Sequence, residues 1–180
     1  MLISADATLP FARDLVSRTY RDELRSLVEL LPNIRDIEIR SREDDGPLVH
    51  FVNVWHGGGD IPAAARAVVS ESMLSWTDHA SWDESDWTTA WRVETHSFTE
   101  AVRCSGKNRV VDVDGATRIE IRGDLGVDVA SIKAVPRLLR GSVSRIVEKF
   151  LVERITPNLI EVSDGLRRYL ERQAKAGSVA

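Results

Sequence analysis

Residues 136–173 constrain the fold more than any other stretch. Leu139, Val143, Ile146, Val147, Phe150, Leu151 and Ile155 recur at steps of three and four. On a helix those steps form one apolar stripe. Arg137, Arg140, Arg145, Glu148, Lys149, Glu153 and Arg154 occupy the other faces. Pro136 suits a first helical position, where a missing N–H leaves nothing unpaired. Thr156-Pro157 interrupts the run, because proline removes a hydrogen bond and clashes with the preceding turn. Leu159, Ile160, Val162, Leu166, Tyr169 and Leu170 then continue the stripe. At 1.5 Å per residue the part before Pro157 spans roughly 30 Å, enough to cross a small sheet. A stripe of that length needs a large apolar partner.

The preceding chain offers one, made mostly of strands. Leu2 to Thr8 alternates and reads as a first strand. Pro10 to Leu31 has helical spacing, through Phe11, Leu15, Tyr20, Leu24, Leu27, Val28 and Leu31, with room for a break near Ser17 to Thr19. Ile34 to Arg42 and Leu48 to His56 form a hairpin around Glu43-Asp44-Asp45-Gly46-Pro47. On Leu48 to His56 periodicity does not choose between the Val49, Phe51, Asn53, Trp55 face and the His50, Val52, Val54, His56 face. Ile61 to Glu71 reads as short helix or irregular chain. Met73 to Trp82 and Trp87 to His96 are the next paired strands. Arg103 to Val113 follows, with a bulge expected at Ser105-Gly106, and Asp114-Gly115 is a strong hairpin turn. Thr117 to Val129 alternates most cleanly: Ile119, Ile121, Leu125, Val127 and Val129 face one way, and Arg118, Glu120, Arg122, Asp124 and Asp128 the other. One dry face and one wet face mark an antiparallel sheet covered on one side. The expected fold is therefore α+β: a curved antiparallel sheet gripping a long C-terminal helix, with two short helices after the first strand. Residues 1–180 read as one domain, with 174–180 a frayed tail.

Several function classes are disfavoured. Net charge is −4, and 24 basic residues are interleaved with 28 acidic ones; nucleic-acid binding needs basic residues gathered on one face. The lone Cys104 has no intrachain disulfide partner. No basic-then-apolar start suggests a secretory leader, and no window approaches 18 apolar residues. The expected location is cytoplasmic. No cofactor is expected. His56 and Asp60 flank three glycines, but zinc needs three or four convergent ligands. His50 and His56 stand about 20 Å apart along an extended strand.

The element order, over essentially the whole chain, resembles the START and birch-pollen-allergen-like superfamily, also called SRPBCC or helix-grip. Locally it is similar to a bacterial branch of unassigned function, at Ile61-Pro62-Ala63-Ala64-Ala65-Arg66, at Ser81-Trp82-Asp83, and at Gly115-Ala116-Thr117-Arg118-Ile119. The resemblance implies an apolar cavity between sheet and C-terminal helix. It also implies a small hydrophobic ligand: a lipid, a sterol or a polyketide-like molecule. The Pro157 interruption and the density of tryptophan depart from that pattern.

The ligand-binding residues expected are Trp76, Trp91, Val93, Ile119, Ile121, Leu125 and Phe150, with indole N–H groups as polar handles. No catalytic residue is assigned. An enzyme of the cyclase, dehydratase or hydrolase kind is the alternative, and it would need inward polar groups such as Thr89, Thr95, Asn53 or a histidine. A third reading is an interaction or oligomerisation domain with a filled core. The basic residues of 137–154 raise transient contact with a membrane surface, although Glu148 and Glu153 dilute them.

Overall fold

The computed structural model describes residues 1–58, 74–97, 99–128 and 160–177. Seven strands form one antiparallel sheet in the order β1-β7-β6-β5-β4-β3-β2. They are β1 (Leu2–Leu9), β2 (Ile34–Asp45), β3 (Leu48–Gly57), β4 (Ser75–Asp83), β5 (Thr88–Thr95), β6 (Val102–Val113) and β7 (Ala116–Val127). The strands β2 to β7 run as a meander, and β1 adds beside β7 at the far edge. Passing from β1 to β2 therefore takes the chain from one edge of the sheet to the other. α1 (Arg13–Asp22) and a 3-10 segment, Leu24–Leu30, make that crossing. A helix over 160–177, here α2, follows the sheet. The fold is α+β, a curved antiparallel sheet with a C-terminal helix and short helices between its first two strands.

Each element follows from its residues, with corrections. The break in the first helical region falls at Glu23, not at Ser17 to Thr19. Glu23 leaves helical geometry at φ −106° and ψ 18°, and its N–H donates to the Thr19 carbonyl. Beyond it Leu24, Leu27 and Leu30 are all buried. A three-residue spacing keeps one face of a 3-10 turn apolar, as three residues complete that turn. The acidic run Glu43-Asp44-Asp45, expected in a turn, completes β2 instead. Gly46 and Pro47 alone form the turn, with Gly46 at φ +59°, a backbone state that glycine adopts without penalty. At the β6–β7 hairpin Asp114 and Gly115 both have positive φ, 52° and 83°, which matches the right-handed twist of the strands. No bulge occurs at Ser105-Gly106, where β6 keeps continuous register with β7. The register shifts lie in β2, between Ile34 and Asp36 and between Ile39 and Ser41.

The core sits on one face of the sheet. Ile3, Leu9, Ile119, Ile121 and Leu125 from β1 and β7 meet Val16 of α1, Leu27 of the 3-10 segment, and Val162, Leu166 and Leu170 of α2. The α2 residues step by four, so one stripe of the helix is buried. Polar ties anchor it: Asn33 Nδ2 donates to Glu161 at 2.8 Å, and Arg168 donates to the Leu30 carbonyl at 2.6 Å. The stripe expected from Leu139 to Ile155, with Phe150, the basic residues of 137–154 and the Ile61 to Glu71 stretch, lies outside the described residues. No described helix is long and apolar enough to cross a membrane.

Candidate functional site

A cavity of about 190 Å³ opens on the core face between β3, β4, β5, the 3-10 segment and α2. Strand alternation decides its lining. On β3 the buried face is Val49, Phe51, Asn53 and Trp55, the choice periodicity alone left open. Register places Asn53 opposite Asp78, which is opposite Val93, which is opposite Cys104. The next row is Trp55, Trp76 and Thr95. Another is Phe51, Ala80, Trp91, Gly106 and Gly123. Val162 closes the cavity from α2, and Tyr20 and Leu24 from the helical crossing.

Four of the five tryptophans line this space: Trp55, Trp76, Trp82 and Trp91. Trp55 and Trp76 stack, 5.7 Å apart with 13° between planes. Trp82 meets Tyr20 edge to face at 5.1 Å. Trp87, in the turn between β4 and β5, is half-buried against the core under the Arg13 guanidinium and does not line the cavity. Trp91 owes its pose to absent side chains. A Cβ on Gly106 would lie 2.3 Å from the Trp91 ring, and one on Gly123 2.7 Å from it. The indole therefore lies across β6 towards β7, and donates its N–H to Asn108 at 2.8 Å.

That pose sorts the expected ligand-binding residues. Trp76, Trp91 and Val93 line the cavity. Ile119, Ile121 and Leu125 are buried in the core and are not among the lining residues. Phe150 lies outside the described residues. The Trp91 N–H is committed to Asn108 and offers no handle, whereas the Trp55 N–H makes no well-aligned hydrogen bond and lies near Asp78. All four histidines lie off the lining. His50 and His56 share the outward face of β3 and pair with Ser81 and Ser75 of β4, while His79 and His96 approach Glu94 and Thr77.

The polar group that sequence reasoning passed over is Asp78. It is half-buried in the cavity wall, and Asn53 Nδ2 donates to it at 3.4 Å. Burial pushes its carboxyl up to about 6, against smaller lowering effects of Asn53 and the nearby Trp55 N–H. The signal was present: Asp78 falls on the same alternating face as Trp76, Ala80 and Trp82. A carboxylate interrupting an apolar face is the pattern that marks it. Nearby, burial raises the Cys104 thiol to about 11 and holds the Tyr20 phenol well above its ordinary value. Both stay protonated at neutral pH.

Five buried side-chain polar atoms lack a protein partner among the described residues, and four belong to cavity-lining residues: Asn53 Oδ1, Trp55 Nε1, Thr89 Oγ1 and Thr95 Oγ1. Buried polar atoms are almost always hydrogen-bonded, so a cluster of exceptions in one cavity is informative.

No protein-family model matches the chain, and no curated protein matches it by sequence. Solved structures do. The Zhui aromatase/cyclase from Streptomyces sp. R1128 superposes with a TM-score of 0.68 at 18% identity, covering 98% of this chain and 97% of its own. A START superfamily protein from Mycobacterium smegmatis gives 0.54 at 12% identity, covering 96% and 98%. Ara h 8.0201 gives 0.54 at 14% identity, also covering 96% and 98%. This chain has the START/Bet v 1-like helix-grip fold. At these identities the likeness speaks for the fold alone.

Proposed function

We propose that the protein binds a small, largely apolar molecule in the helix-grip cavity. The observation that carries this reading is the coincidence of four indoles with four unpartnered polar atoms around one space. A space shaped only by imperfect packing would be dry and lined by satisfied groups. An engineered apolar cavity of about 150 Å³ takes up benzene. On that scale 190 Å³ suits one ring with a short substituent better than a long acyl chain. The structural neighbours support the class of function, since one is an aromatase/cyclase. Titrating the protein with one- to three-ring aromatic compounds should quench tryptophan fluorescence saturably. Trp76→Ala should weaken that binding about ten-fold, the loss of roughly 1.4 kcal/mol of aromatic contact. Native mass spectrometry without any retained or added ligand, across aromatic and lipid panels, would refute the reading.

One observation favours a second reading, in which the protein transforms what it binds. Asp78, near 6, is poised for proton transfer close to neutral pH, beside the Asn53 amide in a cavity that Thr95 also lines. Activity on a polyketide-like substrate would follow one group titrating near pH 6 and vanish in Asp78→Asn.

A further inference from the structure

The chemistry of the lining narrows the ligand beyond apolar and small; this step rests on the binding reading above. Asp78 is a half-buried carboxylate with no cationic partner among the described residues, and part of its surface opens into the cavity. Arg21 is the other charged side chain among the described lining residues, and it is spent on Asp22 and Glu84. The free polar atoms are mainly acceptors. Asn53 Oδ1 can only accept, as can the carboxylate; the Thr89 and Thr95 hydroxyls can do either. The Trp55 N–H makes no well-aligned hydrogen bond but lies close enough to Asp78 to lower its carboxyl, and Trp91 has given its own N–H to Asn108. Aromatic rings surround this polar group, and ring faces attract cations.

We propose that the natural ligand carries a protonated amine on a short aromatic or apolar body, with the ammonium seated at Asp78 and Asn53 among the indoles of Trp55 and Trp76. An ammonium supplies three donors to a site rich in acceptors, and a positive charge to a carboxylate that has no cationic partner among the described residues. A fatty acid or a phosphate headgroup would bring its charge against Asp78 and is disfavoured by the same geometry. The body of the molecule would lie towards Phe51, Trp82 and Val162.

Isothermal titration calorimetry of the full chain at pH 7.5 tests this with three probes of one shape: 2-phenylethylamine, 2-phenylethanol and 3-phenylpropanoate. The amine should bind at least about ten-fold more tightly than the alcohol, the factor expected of one desolvated cation–π and charge-assisted contact. The acid should bind weakest. Asp78→Asn should shrink the amine's advantage to within about two-fold of the alcohol measured on the same variant. A second measurement needs no variant. The amine stays protonated below pH 8, whereas Asp78 gains a proton as pH falls through about 6. Amine affinity should therefore drop between pH 7.5 and pH 5, and binding at pH 6 should release protons. Tyr20 on α1 and Cys104 on β6, the titratable groups among the other described lining residues besides Arg21, both remain neutral over that range, and Arg21 remains charged. Equal affinity for amine and alcohol, or an amine affinity flat in pH, would overturn the amine proposal and leave the cavity reading standing. Binding of none of the three, with no ligand found in the wider aromatic and lipid panels, would end both.

Discussion

Asp78 carries a stability cost that is measurable without any ligand. Its folded value, about 6, lies above its ordinary 3.8, so the folded chain holds this proton more tightly than the unfolded one. The stabilisation is complete below pH 4, declines as pH rises from 4 to 6, and is gone above that. Two units correspond to roughly 3 kcal/mol. Asp78→Asn should remove this dependence, so the variant should exceed the native chain in urea stability at pH 8 and match it near pH 4. Subtracting the two curves isolates Asp78 from carboxylates such as Asp22, which Arg21 holds below the ordinary range and which act in the opposite sense. A native-minus-variant difference that is flat from pH 4 to 8 would contradict the desolvated placement. Two threonines make a further contrast. Thr117 donates to the Phe11 carbonyl at 2.7 Å, so Thr117→Val should cost about 1 kcal/mol or more. Thr89 has no partner for its hydroxyl, so Thr89→Val should be neutral or stabilising, and any loss should appear in ligand affinity instead.

Among the elements, β6 and β7 are specialised by the cross-strand pair Gly106 and Gly123. Glycine weakens a strand, yet here it lets an indole lie flat against the backbone. Gly106→Ala would also bring its Cβ to 2.3 Å from the Arg122 carbonyl oxygen. We expect that substitution to cost about 1–3 kcal/mol as overpacking, and to change the near-ultraviolet circular dichroism as Trp91 is displaced. The helix α2 is held by its buried stripe. Leu166 is fully buried, so Leu166→Ala should lower denaturant stability by about 2–5 kcal/mol. A loss under about 1 kcal/mol would mean that α2 does not seal the core.

For the whole molecule, binding and folding are linked. A ligand that binds only the folded state adds about 2.7 kcal/mol at a concentration 100 times its dissociation constant. An accepted aromatic amine should therefore raise the thermal midpoint in proportion to the logarithm of its concentration, and Trp76→Ala should flatten that rise.

Much of this architecture was legible in the chain. Period-two alternation in Ile119, Ile121 and Leu125 reports a sheet with one dry face, because side chains of a strand must alternate between its sides. Period-four spacing in Val162, Leu166 and Leu170 reports a helix that buries one stripe. Both rules are local, so residue order alone carries them. The cavity is not local. Ile119, Ile121 and Leu125 have the pattern of a lining yet pack in the core, because Trp91 reaches across two glycines from neighbouring strands. Trp55 and Trp91 look equivalent in sequence, but the Trp91 N–H is spent on Asn108 while the Trp55 N–H lies near Asp78 without a well-aligned bond. Asp78 becomes an isolated charge only when β3, β4 and α1 close around it. Alternation tells which side of a strand a residue faces; what stands opposite it across the sheet, and whether it meets a partner there, is settled by register and packing between segments far apart in the chain.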